Sequence, residues 1–324
     1  MRKFILGFLL IISLLVSVLP SIAATIPPDI KKAVTFIFLS DAQGNLLRDQ
    51  KTNNPVAYGT GFFVVVKNEN GDGLYGYLVT AKHVLKAPDG TDFTRIFLRL
   101  NKLKGDAEFI PLDLIQEGHS AVYTHSDPTV DIAVVPAFPN QTLFDFKVIT
   151  DDMLTDKTSF SQLNIGEGSE VFFAGLFTNY YGDHRNNPIV RFGRVAMLPE
   201  DRIAWQDDTA KPPKLVELYL LETQSYGGNS GSPVFFNLGS DRVPGSVILG
   251  PPVIKLAGIM RGSFNETRAV GVLQLDTARQ IPITSQNIGI AAVTPSYLLH
   301  EILFSDELKK FRAQHPLTSP GTSK

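Results

Sequence analysis

The chain has 324 residues, 44% of them hydrophobic, and a formal net charge of −2. It is long enough for a large packed core, and its charge balance shows no electrostatic signature of nucleic-acid binding. It has no cysteine, which excludes disulfides, thiolate zinc sites, cysteine nucleophiles and lipidated-cysteine anchors.

The first predicted element is an export signal. Two basic residues precede the apolar run FILGFLLIISLLVSVL (4–19), and a proline and small residues up to Ala23 follow it. This is the charge, core and cleavage pattern of a signal peptide, and the run is shorter than the roughly 20 residues that span a bilayer comfortably. We therefore predict a signal over 1–23, a linker over 24–32, and a secreted or periplasmic protein with no membrane contact after cleavage. Retention of the run as an anchor is the alternative.

Downstream, the chain reads as short strands separated by glycine, proline and asparagine. Helical spacing occurs only at 295–311, with Thr294 as the expected N-cap, and the tail over 313–324 is expected to be disordered. Many strands and one late helix predict an all-β barrel or sandwich rather than an alternating α/β sheet. The predicted strands are 33–40, 59–67, 75–81, 94–100, 131–137, 170–177, 191–198, 215–223, 232–237, 253–260 and 271–275.

The stretch YGGNSGSPVF (226–235) contains two serines, Ser230 and Ser232, with glycines beside the first. An α/β-hydrolase would place its nucleophile before a helix, whereas the apolar residues after Pro233 predict a strand. A serine nucleophile in any other fold still needs a base to accept its proton. That base must come from another part of the chain.

His83 is the candidate base because it alone among the histidines directly follows an apolar strand, in TAKHVL. Asp131, at the mouth of DIAVVPA, is the candidate acid that fixes the imidazole tautomer, whereas Asp127 lies in a turn and is expected in solvent. Taken singly, His83 is also compatible with a surface or core histidine, and Asp131 with a strand-edge acid. The remaining histidines weighed against His83 are predicted at the surface: His119, His125, His184 and His300.

Together these residues follow the order His–Asp–Ser of the chymotrypsin type. Through GTGFFV, TAKHV, DIAVV and GNSGSPVF the chain resembles the trypsin-like serine peptidases over about 33–305. Its GGNSGSPVF is most similar to the exported bacterial glutamyl endopeptidases. The resemblance implies a peptidase domain over 33–312 made of two six-stranded antiparallel β-barrels, about 33–145 and 160–293, with a C-terminal helix.

The resemblance also implies the roles of the candidate site residues. A polypeptide is the implied substrate, with no cofactor, metal or nucleic acid. Asn229 stands where digestive relatives have an aspartate, and we expect it to hold its loop by side-chain hydrogen bonds. The implied catalytic residues are His83, Asp131 and Ser230; the oxyanion donors are the N–H groups of Gly228 and Ser230; and the substrate-binding residues are Gln224, Met260, Arg261 and Gly262.

The sequence defines the substrate preference less clearly than it defines the candidate catalytic residues. Gln224 is neutral, so an acidic pocket for lysine or arginine side chains is not evident. Arg261 is expected either to pair with an acidic substrate side chain or to be solvated, and the Pro/Gly-rich stretch 238–252 lengthens a neighbouring loop. A serine endopeptidase is the predicted function. The alternatives are a catalytically silent binding protein of the same fold and an esterase using the same residues.

Overall fold

The computed structural model describes residues 26–68, 73–87, 89–206, 212–239, 252–269 and 283–315, and nearly all of its regular structure is β. The predicted signal peptide, the strand 271–275 and most of the stretch 238–252 lie outside these ranges. The strands are β1 (Val34–Leu39), β2 (Ala57–Lys67), β3 (Leu74–Thr80), β4 (Arg95–Leu100), β5 (Glu108–Asp113), β6 (Ile115–Gln116), β7 (His119–Ser120), β8 (Tyr123–Thr124), β9 (Ala133–Pro136), β10 (Ile149–Thr150), β11 (Glu170–Gly175), β12 (Ile189–Met197), β13 (Ile203–Trp205), β14 (Lys214–Val216), β15 (Tyr219–Glu222), β16 (Pro233–Leu238), β17 (Val253–Ala269) and β18 (Ile283–Pro295).

Helices are few and short. The α-helices are α1 (Lys157–Gln162), α2 (Ser296–Leu303) and α3 (Asp306–Gln314), and the 3₁₀ turns are Pro28–Ala33, Lys82–Leu85 and Asp151–Met153. Among the residues with described positions, no helix is long and apolar enough to cross a membrane.

The first half of the chain forms a half-barrel. Its strands follow the order β5-β4-β1-β2-β3-β9-β8, and β10 pairs in parallel with β2. β2 is buried along most of its length, as expected for the continuous apolar run FFVVV at the centre of a sheet. The sheet is open at its edges, where β5 has no buried residue and β8 has two residues.

The second half forms a closed six-stranded barrel in the order β11-β12-β15-β18-β17-β16. Aromatic side chains pack on both faces of its wall, since the consecutive residues Phe235 and Phe236 of β16 point to opposite sides. Phe172 and Phe235 stack with ring centroids 5.2 Å apart, and Phe160 of α1 packs on Tyr219 and Phe236. Such pairs add packing energy beyond the apolar area they bury.

The last helix, α3, packs on the half-barrel. Arg312 of α3 is 1% exposed, and its guanidinium donates to the carbonyl of Leu303 at 2.8 Å and to the hydroxyl of Tyr77 at 3.2 Å. The Tyr75 hydroxyl donates to the Arg312 carbonyl at 2.7 Å. The buried charge of Arg312 is thus hydrogen-bonded, as a buried cation must be.

The prediction of an all-β fold built on β-barrels with helix at its C-terminus is confirmed, but of the two six-stranded antiparallel barrels expected, the second is closed and the first is a half-barrel with one parallel pair. The predicted helix 295–311 is divided, because Ser305 accepts a hydrogen bond from the Leu308 N–H and begins a new helix. Thr294 lies in β18 and is not a helix cap. The predicted strand 215–223 is likewise divided, between β14 and β15. The proposed boundary between two domains stays a prediction.

Candidate active site

His83 and Asp131 are brought together by two neighbouring strands. β3 and β9 run antiparallel, with Thr80 at the end of β3 opposite Ala133 at the start of β9. His83 lies in the 3₁₀ turn Lys82–Leu85 after β3, and Asp131 lies two residues before β9. Since the end of one antiparallel strand lies beside the start of the other, both side chains are held at the same edge of the sheet.

Asp131 holds His83 through both carboxylate oxygens. Oδ2 lies 2.6 Å from the imidazole Nδ1, and Oδ1 accepts a hydrogen bond from the His83 backbone N–H at 2.9 Å. Burial alone would raise the pKa of Asp131, but the charge and hydrogen bonds of His83, together with the charge of Arg261, outweigh burial and hold that pKa well below its ordinary value. An ionised Asp131 favours the imidazole with its proton on Nδ1, which leaves Nε2 as an acceptor.

The exposure of the two side chains differs in a way that suits their proposed roles. The Asp131 side chain is 5% exposed and the His83 side chain 39%. The acid is therefore shielded from water, while the imidazole keeps an accessible face. A shielded carboxylate acts more strongly on the imidazole than a solvated one would.

The Ser230 loop, between β15 and β16, has a backbone that glycine adopts most easily. Gly228 and Gly231 have φ angles of 91° and 84°, in the region that disfavours residues with a Cβ atom. A Cβ atom at Gly231 would lie 3.1 Å from the backbone nitrogen of Ala81. Because Ala81 is two residues before His83, this close approach places the Ser230 loop beside the His83 turn.

Two backbone donors of this loop are unengaged. Within the described part of the chain, neither the Gly228 N–H nor the Ser230 N–H donates a hydrogen bond. The N–H groups of Asn229 and Gly231 are used, with nitrogen atoms 3.0 and 2.8 Å from their acceptor carbonyl oxygens. The two unengaged donors are the pair that the family resemblance assigns to an oxyanion hole.

Asn229 fixes the loop from inside. It is fully buried; its Oδ1 accepts from the Tyr226 N–H at 2.9 Å, and its Nδ2 donates to the Leu176 carbonyl at 2.8 Å. A neutral amide thereby satisfies two backbone groups without burying a charge. The prediction that Asn229 holds this loop by side-chain hydrogen bonds is confirmed.

Thr60 of β2 ties the loop to the half-barrel. Its N–H donates to the Ser230 carbonyl at 2.9 Å, and its buried hydroxyl donates to the Gly228 carbonyl at 2.7 Å. The same hydroxyl accepts from the Leu176 N–H at 2.9 Å, and the Thr60 carbonyl accepts from the Thr80 hydroxyl at 2.7 Å. One residue therefore connects the Ser230 loop, the second barrel and the strand that ends before His83.

The two serines of the loop differ in accessibility. The partly buried Ser230 donates its hydroxyl proton to the Arg261 carbonyl, with an O–O distance of 3.1 Å. Ser232 is fully buried, and in the part of the chain that the structure describes its hydroxyl has no hydrogen-bond partner. Of the pair, Ser230 is the one that a substrate can reach.

Arg261 is buried, which excludes the solvated alternative. Its side chain is 5% exposed, and its Nε lies 3.8 Å from Oδ2 of Asp131. Its Nη1 donates to the Thr129 carbonyl at 3.0 Å, and its guanidinium carbon lies 5.4 Å from the centroid of a Trp205 ring. The guanidinium is thus engaged with a carboxylate of this chain, which differs from the predicted contact with an acidic substrate.

The other predicted specificity residues lie in different environments. Gln224 is exposed and accepts a hydrogen bond from a neighbouring tyrosine. The Met260 side chain is fully buried, and its N–H donates to the Ser232 carbonyl at 2.9 Å. A Cβ atom at Gly262 would lie 3.5 Å from the Trp205 ring. Their substrate-binding roles stay predictions.

A cavity of about 310 Å³ lies beside His83 and Asp131. Burial lowers the pKa of Lys82 in its wall, although the charge of Asp131 opposes this effect. A larger cavity of about 800 Å³ lies elsewhere, near α3, and none of the three candidate catalytic residues lines it. The charged and aromatic residues of the smaller cavity are Lys82, His83, Lys86, Asp131, Trp205, Lys214 and Arg261.

The residues predicted at the surface are mostly there. His125 is the partial exception, since it is 13% exposed and pairs with Glu301 at 2.8 Å. Asp127 is not a free solvated acid: hydrogen bonds from Thr129, and then from Arg202, lower its pKa to about 2 despite an opposing effect of burial. In the described ranges, no group of three or more acidic or histidine side chains is arranged to hold a metal ion. Of the histidines predicted at the surface, the exposed ones are His119, His184 and His300.

Sequence reasoning assigned no role to Thr60 or Trp205. The sequence holds a signal for Thr60, because this residue stands in the GTGFFV motif. It holds no such signal for Trp205, because nothing near Trp205 in the sequence indicates its contact with the guanidinium of Arg261.

No protein-family model and no curated protein matches this chain. Among solved structures it is similar to an HtrA-type protease with a tripeptide, at 14% identity and a TM-score of 0.44, covering 86% of this chain and 60% of that one. It is similar to human heparin binding protein at 10% identity and a TM-score of 0.43, covering 92% and 98%. Likenesses of this size carry no argument about activity, and the resemblance to glutamyl endopeptidases stays a prediction.

Proposed function

We propose that this protein is an exported serine endopeptidase that cleaves polypeptides through an acyl-enzyme on Ser230, with His83 as base and Asp131 as its orienting acid. The observation that carries the proposal is the 2.6 Å contact between His83 Nδ1 and the buried Asp131, at a site whose neighbouring loop holds an accessible serine. Export rests on the charged and apolar pattern of residues 1–23.

The chemistry proceeds in two halves. The Ser230 hydroxyl is a weak nucleophile until the imidazole Nε2 takes its proton during attack on the substrate carbonyl carbon. Asp131 stabilises the imidazolium that forms, and the imidazolium then protonates the leaving amine as the C–N bond breaks. Water attacks the acyl-enzyme in the same way, with His83 again taking a proton, and releases the new carboxylate.

The Gly228 and Ser230 N–H groups stabilise the negative charge that develops on the carbonyl oxygen. Because they donate to no other group within the described chain, they are available without prior rearrangement. The loss of one such donor typically costs on the order of 100- to 1000-fold in turnover.

A catalytically silent binding protein is the second candidate. The observation that favours it is that the Ser230 hydroxyl donates to the Arg261 carbonyl, so the proton is committed to an acceptor other than the imidazole. For catalysis, rotation about the Ser230 side-chain torsion must redirect this proton to Nε2.

A labelling experiment separates the candidates. A fluorophosphonate probe should react with Ser230, and Ser230→Ala should lower peptide cleavage on the order of 10⁶-fold. Ser232→Ala is the matched control, and the probe should still label Ser230 in this variant. Labelling at Ser232, or full cleavage by Ser230→Ala, would refute the assignment.

Substrate profiling completes the test. Peptide and ester libraries are compared on the same preparation, because an esterase using the same residues would turn over only the esters. No reaction with the probe or with either library would favour the binding protein.

A further inference from the structure

The carboxylate of Asp131 contacts two basic side chains. Its Oδ2 lies 2.6 Å from Nδ1 of His83 and 3.8 Å from Nε of Arg261. Both Asp131 and Arg261 have side chains that are 5% exposed. Charges as deeply buried as these are weakly screened by water, so each affects the other more strongly than a surface pair would.

The guanidinium is held in place from other directions. Nη1 donates to the Thr129 carbonyl, two residues before Asp131, at 3.0 Å. The guanidinium carbon also lies 5.4 Å from a Trp205 ring, within the range of a cation–π contact. If Arg261 turned towards a substrate, the buried carboxylate of Asp131 would lose one of its two basic partners, which is energetically costly.

We propose that Arg261 is a positioning residue of the candidate site: its buried guanidinium fixes the Asp131 carboxylate and keeps the His83 imidazole neutral, and so able to accept a proton, at lower pH. This inference rests on the proposed function for its effect on turnover. Its effect on the imidazole itself does not depend on turnover.

The sign follows from the charges. Asp131 stabilises the imidazolium of His83, whereas a second cation at the same carboxylate destabilises it. Arg261 therefore lowers the pKa of the imidazole relative to a site with a neutral residue at that position. Removing the guanidinium should raise the pH below which His83 is protonated and activity is lost.

Three lysines line the same cavity and also carry positive charge near His83. Lys82 donates to the Pro128 carbonyl at 2.9 Å, Lys86 pairs with Asp92, and Lys214 is exposed. These lysines are less buried than Arg261, so solvent screens their charges more. Arg261 is the cation in contact with the carboxylate itself.

The size of the effect can be bounded from the structure. The two distances to Oδ2, 2.6 and 3.8 Å, limit the separation of the His83 and Arg261 nitrogen atoms to at most about 6.4 Å. Two unit charges at that distance correspond to a pKa shift of about 0.5 units in a water-like medium and about 2 units in a protein-like one. We expect an upward shift of about 0.5 to 2 pH units in Arg261→Met.

The test compares the acid limb of kcat/KM and the imidazole titration by NMR in three variants. Arg261→Met removes the charge, and Arg261→Lys keeps it and should leave the midpoint near that of the wild type. Arg202→Met is the matched control, since Arg202 pairs with Asp127 at 2.7 Å and is 48% exposed.

An upward shift in Arg261→Met alone supports the proposal. An unchanged midpoint in a folded Arg261→Met, or an equal shift in Arg202→Met, overturns it. If Arg261→Met does not fold, a large shift in Arg261→Lys overturns the proposal, and an unchanged midpoint there supports it. If the wild type cleaves nothing, the proposed function fails, while the NMR titration still decides the role of Arg261.

Discussion

Thr60→Val is the most informative single substitution in this molecule. Valine has nearly the shape of threonine but no hydroxyl, so it loses the bond to the Gly228 carbonyl and the bond from the Leu176 N–H, at 2.7 and 2.9 Å. Each buried group left without a partner costs about 1–3 kcal/mol. With two such groups, the free energy of unfolding of the variant should be about 2–6 kcal/mol lower than that of the wild type.

The effect on catalysis should exceed the effect on stability. The Gly228 carbonyl and the Gly228 N–H belong to adjoining peptide units, so freeing the carbonyl releases a constraint on a proposed oxyanion donor. Loss of one such donor costs on the order of 100- to 1000-fold. We expect kcat to fall by about 100-fold, with KM little changed because the substrate is bound mainly by other groups.

Two matched variants isolate this effect. Thr60→Ser keeps the hydroxyl and should restore most of the turnover. Thr35→Val, in β1 of the same sheet, removes a fully buried hydroxyl that donates to the Arg99 carbonyl at 3.0 Å and should lower stability without lowering kcat. Urea denaturation and peptide turnover are measured at a temperature where all variants are folded. If Thr60→Val retains the kcat of Thr35→Val, the reasoning about the loop is wrong.

Two further predictions follow from the buried charges. Wild-type activity should rise with pH as the imidazole of His83 loses its proton, because only the neutral imidazole can accept the proton of Ser230. Asp131→Asn should lower kcat on the order of 10⁴-fold through the wrong tautomer. A flat profile from about pH 5 to 8, or an active Asp131→Asn with an intact circular dichroism spectrum, would contradict this. Arg312→Met should lower the free energy of unfolding by about 1–3 kcal/mol, because the Tyr77 hydroxyl and the Leu303 carbonyl lose a partner. Lys310 is exposed, so Lys310→Met should change the free energy of unfolding by less than about 0.5 kcal/mol. Equal urea midpoints for the two variants would show that the buried cation does not hold α3.

Much of the fold could be predicted because its signals are local. The buried run of β2 and the strand before His83 are short apolar stretches bounded by glycine or polar residues and rich in β-branched and aromatic residues, which favours strands. The break before α3 also has a local signal in the sequence, because a serine followed by acidic residues, as at Ser305, favours the start of a helix. The sequence predicts a single helix instead, because the apolar spacing continues across Ser305.

The features that sequence could not provide depend on distant partners. The Thr60 hydroxyl bonds to residues 168 and 116 positions away, and no local pattern indicates such pairs. Arg261 looked like a solvated or substrate-facing residue because arginine is usually exposed. Its burial requires both Asp131 and Trp205, which reach it only after the half-barrel and the second barrel have formed.

The last helix has a consequence for the order in which this chain folds. The hydroxyls of Tyr75 and Tyr77 bond to Arg312 across sequence separations of 237 and 235 residues, so the sheet that carries His83 gains these contacts only when the far end of the chain is present. Contacts of such separation pay the cost of closing a long loop before they contribute, which slows folding. The half-barrel therefore reaches its final packing only after the second barrel and α3 have been made.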